Sequence, residues 1–165
     1  MLVLINVPSL LWQLDSVDAV EREWACSALA NFALEAESLQ ILMQNNVIKK
    51  LSERLIDSDP MVQVGAAGAL RNLAVEGGEA IREEMLKKDI LTPLLHLFPE
   101  AVNRLKSVNS DHSAENLEKR GVISNFLEQI LVILWCLWYN GLSHSFFVSF
   151  HASLCSSLVH SQRNL

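Results

Sequence analysis

One stretch of this chain is written twice. Residues 25–35 read ACSALANFALE and residues 66–76 read AAGALRNLAVE. At an offset of 41 residues, Ala25 meets Ala66, Ala28 meets Ala69, Leu29 meets Leu70, Asn31 meets Asn72, Ala33 meets Ala74 and Glu35 meets Glu76, while Phe32 and Leu73 exchange one apolar group for another. A period of roughly 40–47 residues is that of armadillo and HEAT arrays. In these arrays each unit buries its apolar side only against its neighbours. The period predicts an all-α, right-handed armadillo/HEAT-like solenoid, and 165 residues hold about three repeats. Such arrays bind along a concave surface.

The punctuation between the duplicated stretches fixes the unit. Pro8 opens a short apolar helix ending at Leu14. Asp15 to Asp18 form a turn and N-cap, and a helix is expected from Ala19 to Glu35. A short helix over 39–45 is broken at Asn45-Asn46, and a medium one spans 47–56 with Val47, Leu51 and Leu55 on one face. Asp57-Ser58-Asp59-Pro60 starts a long helix that Gly77-Gly78 stops. Segments 79–88 and 90–97 then repeat the short-then-medium order, Asp89 overlaying Asn46 at an offset of 43. Three helices per unit is the armadillo form, and the Ala- and Gly-rich segments 25–30 and 65–70 let long helices approach closely. Residues 103–120 are polar and break the period, which predicts a mobile inserted loop. A third long helix follows over 126–138, with Cys136 in the register of Asn72 at an offset of 64. The repeat domain is therefore read as 1–138, followed by a non-repeat apolar tail over 139–165.

Charge and chemistry narrow the function. The net charge is −6, and all 19 acidic residues lie between Asp15 and Glu128. This disfavours direct nucleic-acid binding, which needs a basic face, and favours a basic partner. Cys26, Cys136 and Cys155 show neither a disulfide framework nor metal-ligand spacing, and the five histidines are scattered. No nucleophile elbow, phosphate loop or zinc-protease motif occurs in the sequence. The expectation is a non-enzymatic protein that needs no metal or cofactor.

The core AAGALRNL, then Gly77-Gly78, then KDILTPLLHL, together with Glu21 to Cys26 and Leu134-Trp135, resembles the N-terminal armadillo region of the symportin (HEAT-repeat-containing protein 3) family. The resemblance covers roughly residues 7–138. It implies an import adaptor and chaperone, shuttling between cytoplasm and nucleus, that holds basic 5S RNA-binding ribosomal proteins of the large subunit while a karyopherin carries them. The family's N-terminal basic and proline-tyrosine import signal has no counterpart here, since the chain opens Leu2-Val3-Leu4. That counts against karyopherin binding.

The candidate cargo groove follows from the repeat register. In an armadillo unit the third helix lines the concave face. There Asn31 and Asn72 can bond the backbone of an extended segment with both donor and acceptor. Glu35 and Glu76 lie four residues on, hence on the same face of a continuous helix. The alternative for the asparagines is to bond neighbouring loops and hold the repeats together. Importin-type grooves carry tryptophan at the positions of Ser27 and Gly68, so a direct receptor for lysine-rich signals is not expected. Trp24 can reach the groove, although large aromatics are mostly core, and Trp12, Trp135 and Trp138 are read as core. Arg71 is either a contact for acidic cargo or one arm of a surface ion pair.

Two other readings remain. Ile130 to Phe150 is long enough to cross a bilayer, as in a tail-anchored scaffold, but Asn140, Gly141, Ser143 and His144 would then sit in its core. A non-functional truncated fragment is the other, and its last helix would expose an apolar face that a further repeat would cover.

Overall fold

The protein is represented by a computed structural model that describes residues 6–108 and 113–139. These residues form eight helices and no strand: α1 Val7–Leu14, α2 Ala19–Phe32, α3 Ala36–Gln44, α4 Val47–Arg54, α5 Pro60–Glu76, α6 Gly78–Lys87, α7 Leu91–Val108 and α8 Ala114–Tyr139. Helices α1 and α2 close a first unit, α3 to α5 make a second and α6 to α8 a third. The long helices stack, α2 on α5 and α5 on α8, and form the spine of an all-α solenoid.

The two helix starts repeat one hydrogen-bond pattern. Before α2, the Asp18 N–H donates to the Ser16 hydroxyl, and the Asp18 carboxylate caps the Val20 N–H at 2.9 Å. Before α5, the Asp59 N–H donates to the Asp57 carboxylate, and the Asp59 carboxylate caps the Met61 N–H at 2.8 Å. Six residues further along each turn, a side chain reaches back. Arg22 Nη1 donates to the Ser16 carbonyl at 2.9 Å, and Gln63 Nε2 donates to the Asp57 carbonyl at 2.7 Å. The corners before α4 and α7 also match: Asn46 (φ 54°) and Asp89 (φ 53°) are both left-handed. Short polar side chains tolerate that region best after glycine.

The core is built around α5, whose Val62, Ala66, Ala67, Ala69, Leu70, Leu73 and Ala74 are buried on both flanks. A Cβ added to Gly65 would lie 2.9 Å from Cys26 Cβ, so small residues do set the α2–α5 spacing at this point. Burial pushes the Cys26 thiol up to about 12.

An ion pair inaccessible to the sequence reading ties α2 to the turn before α5. Arg22 Nε and Nη2 grip the Asp57 carboxylate at 2.9 and 2.8 Å, with both residues buried, and Arg54 adds a contact at 3.4 Å. Burial alone would raise the Asp57 pKa. The hydrogen bonds from Arg22 and from the Asp59 N–H, with the charges of Arg22 and Arg54, outweigh it and hold the carboxyl below its ordinary value.

Several boundaries depart from expectation. The loop predicted over 103–120 is largely helix: α7 runs through Pro99 to Val108, and α8 begins at Ala114. The apolar stripe Leu94, Phe98, Ala101, Leu105 and Val108 packs on the core and carries α7 past the proline, which costs one backbone bond. Ser113 starts α8, its hydroxyl accepting from the Asn116 N–H. Helix α2 stops at Phe32, three residues short of Glu35, and α4 is no longer than α3. The tail read over 139–165 lies outside the described residues except for Tyr139.

Candidate functional site: the face of the long helices

On α2, Val20, Trp24, Ser27 and Asn31 fall at helical spacing of four, three and four, and all four are exposed. Their equivalents on α5, at the 41-residue offset, are Met61, Gly65, Gly68 and Asn72. On α8, at the 64-residue offset, they are Asn125, Gln129, Val132 and Cys136. Met61 and Asn125 are exposed too, whereas the other counterparts on α5 and α8 are half-buried, Gly65 lying within the α2–α5 contact.

Asn72 shows how the strip is bound together. Its Nδ2 donates to the Ala30 carbonyl of α2 at 2.9 Å, and its Oδ1 accepts from Arg71 Nη1 at 3.2 Å. The Leu34 N–H bonds the Asn31 carbonyl, so the Ala30 carbonyl falls among the four that a helix end leaves unsatisfied. Asn72 therefore caps α2 from the next unit. Asn31 is exposed, one residue beyond Ala30. The corresponding end of α5 is capped at Ala74 by Arg82 Nη1 at 3.0 Å.

Trp24 is 72% exposed, and Trp12 and Trp135 are exposed as well, contrary to the core reading of these rings. Trp24 shares the register of Gly65, the side of a long helix that packs on the preceding unit, and among the described residues no long helix precedes α2, so the ring stays exposed. A Cβ on Gly68 would meet nothing within 4 Å, and Ser27 is exposed.

Glu35 does not share the helical face of Asn31. It sits in the corner that begins α3, and its carboxylate accepts from the Ser38 hydroxyl at 3.1 Å. Glu76 is exposed on the last residue of α5, in helical register with Asn72. Arg71 is exposed and donates to the side chain of the neighbouring Asn72. Asn125 and Gln129, linked at 2.8 Å, extend the polar strip onto α8. Sequence reasoning passed over them, although carrying the 64-residue register back from Cys136 reaches both.

The armadillo/β-catenin-like repeat family matches residues 36–75, which span α3 to α5. The mouse HEAT repeat-containing protein 3 is 35% identical over 76% of this chain. The Schizosaccharomyces pombe armadillo repeat protein involved in nucleocytoplasmic transport, Syo2, is 43% identical over 70% of it. The chain is an armadillo-repeat homologue of these two proteins. It spans 18% of the length of each. A crystal structure of computationally designed armadillo repeat proteins for modular peptide recognition superposes with a TM-score of 0.58 at 18% identity, covering 94% of this chain and 74% of that one. That likeness carries the fold. The non-enzymatic reading rests on the armadillo match and on relatives named for transport.

Proposed function

We propose that the chain is the cargo-holding armadillo segment of an import adaptor, and that it takes an extended basic protein segment along the strip from Trp24 to Cys136. The observation that carries this reading is the exposed row Val20, Trp24, Ser27 and Asn31 on α2. An exposed indole in a row of small and amide side chains offers a flat surface for the stem of a long cationic side chain. Asn31 supplies an amide for the segment's backbone. Glu76 and the net charge of −6 favour a basic occupant. The relatives named for nucleocytoplasmic transport favour cargo that moves between cytoplasm and nucleus. The specific cargo proposed is a 5S RNA-binding ribosomal protein of the large subunit.

The test is titration of a labelled basic segment of such a ribosomal protein against the full chain at two salt concentrations. Trp24→Ala and Asn31→Ala remove exposed groups and should weaken binding while leaving thermal unfolding unchanged. Asn72→Ala also loses the α2 cap, so its binding is interpreted only beside its unfolding curve. Binding by the wild type that neither Trp24→Ala nor Asn31→Ala reduces would move the cargo off this strip. No binding by the folded wild type would overturn the adaptor reading for this chain.

A further inference from the structure

The contacts α2–α5 and α5–α8 make one interface twice, and the register of the long helices identifies its two halves. The half that meets the preceding helix is seen on α5. A Cβ on Gly65 would lie 2.9 Å from Cys26 Cβ, and Asn72 Nδ2 donates to the Ala30 carbonyl. The half that meets the following helix is marked by those two partners, Cys26 and Ala30 on α2. At the front of the stack the first half recurs on α2 as Trp24 and Asn31, with Val20 one turn before Trp24. At the back the second half recurs on α8, where the 41- and 64-residue offsets carry Cys26 to Leu131 and Ala30 to Trp135. Among the described residues no long helix precedes α2 and none follows α8. Both halves lie bare there: Val20 is 65%, Trp24 72%, Leu131 43% and Trp135 58% exposed. Units that end such an array ordinarily turn a polar face outward, and these two ends turn apolar ones.

We propose that the two ends are each other's partner: a second copy of this chain seats its α2 on the α8 of the first, head to tail, and continues the solenoid across the joint. The two faces are the halves of an interface the chain already makes twice within itself, so their registers match before they meet. Val20, Trp24, Asn31, Leu131 and Trp135 carry no charge, so the contact positions bring no like charges together although each copy carries −6. The joint is wider than the α2–α5 contact, since Leu131 and Trp24 stand where Cys26 meets Gly65. Aromatic bulk fills that width: the Trp135 and Trp138 rings lie 5.3 Å apart at 55°, and Trp24 of the second copy adds a third ring to this platform. A front-to-back contact is heterologous and uses one face of each copy. It leaves a free face at either end, and copies add without closing a ring unless the rotation happens to close. Cargo and a second copy exclude each other at Trp24, but the association needs no cargo and is measured without it.

Sedimentation of the full chain over a range of concentrations is the test. The wild type should grow past a dimer as concentration rises. Trp24→Asp blocks the front and Trp135→Asp blocks the back, and each variant alone should sediment as a monomer. Mixed, they should form a one-to-one dimer that grows no further, because the mixture holds one intact front and one intact back. A wild type that stays monomeric overturns the proposal. So does a Trp24→Asp variant that still dimerises, which assigns the α8 face to a two-fold contact, and so does a mixture that stays monomeric. Association that appears only with phosphatidylcholine vesicles also overturns it and assigns the faces to a lipid surface. Because an aspartate variant can lose its fold, a photoreactive benzoylphenylalanine at position 131 of the otherwise unaltered chain provides a second measurement. Its cross-link should join two chains and map to peptic fragments containing α2. A cross-link within one chain, or none, overturns the proposal.

Discussion

At the scale of single residues, the contacts that matter most are the ones a periodic pattern cannot reveal. Arg22 and Asp57 are 35 positions apart and pair in a buried bidentate grip. Asp57→Ala should cost about 3 kcal/mol, because it leaves the guanidinium buried without its carboxylate. The Asp57 pKa is depressed in the folded state. Its stabilising share is therefore complete above the unfolded value of about 4 and is lost as pH falls below that, through the folded value. Urea unfolding of wild type and Asp57→Asn across this acid range should show the gap between them closing as pH drops. Gly65→Val should cost about 2 kcal/mol by overpacking the α2–α5 contact, and Gly68→Ala, where space is open, should not destabilise. Cys26 should resist alkylation at pH 8 in the native chain and react only on unfolding, since burial raises its thiol to about 12. The asparagine ladder was legible as a register with two possible uses, groove contact or holding neighbouring repeats together, and Asn72 makes a bond of the second kind. That Asn72 caps the Ala30 carbonyl depends on where α2 ends, which neither residue specifies alone.

At the scale of elements, turn chemistry was the most readable signal. Asp18 and Asp59 are the N-caps that the sequence announces, and Pro60 opens α5. The corners at Asn46 and Asp89 were legible as an equivalent pair and as a break, though not as left-handed residues. Asn46→Ala should cost about 1 kcal/mol because its Cβ is disfavoured at positive φ, whereas Asn46→Gly should be neutral or mildly stabilising; thermal unfolding of the two variants separates them. The region 103–120 misled because two helix ends rich in polar residues look like a loop when read together. The stripe through Leu105 and Val108 was present, but Pro99 and the surrounding charge masked its period. Glu35 failed for the related reason that an i+4 argument holds only inside a helix, and α2 ends at Phe32. The tryptophans failed because aromatic bulk predicts burial only where a neighbour packs on it.

At the scale of the whole molecule, the array was legible because every unit repeats the same contacts, so one self-comparison reports on the whole stack. Stability should nonetheless be uneven along it. Helix α5 buries seven residues between two neighbours, while α3 buries one and α6 two. Hydrogen exchange should therefore be slowest in the middle of α5 and fastest in α3 and α6, in the order of their buried contacts. The small-residue meeting of Cys26 with Gly65 also bears on how the stack can deform. With backbones this close at one point and larger side chains elsewhere along the seam, α2 and α5 can swivel about that point but cannot slide past it. The crossing then acts as a vertebral joint. A cargo segment lying along the strip would bend the array about this fulcrum, and lengthening or shortening the lever on either side would alter curvature without touching a single residue that meets the cargo.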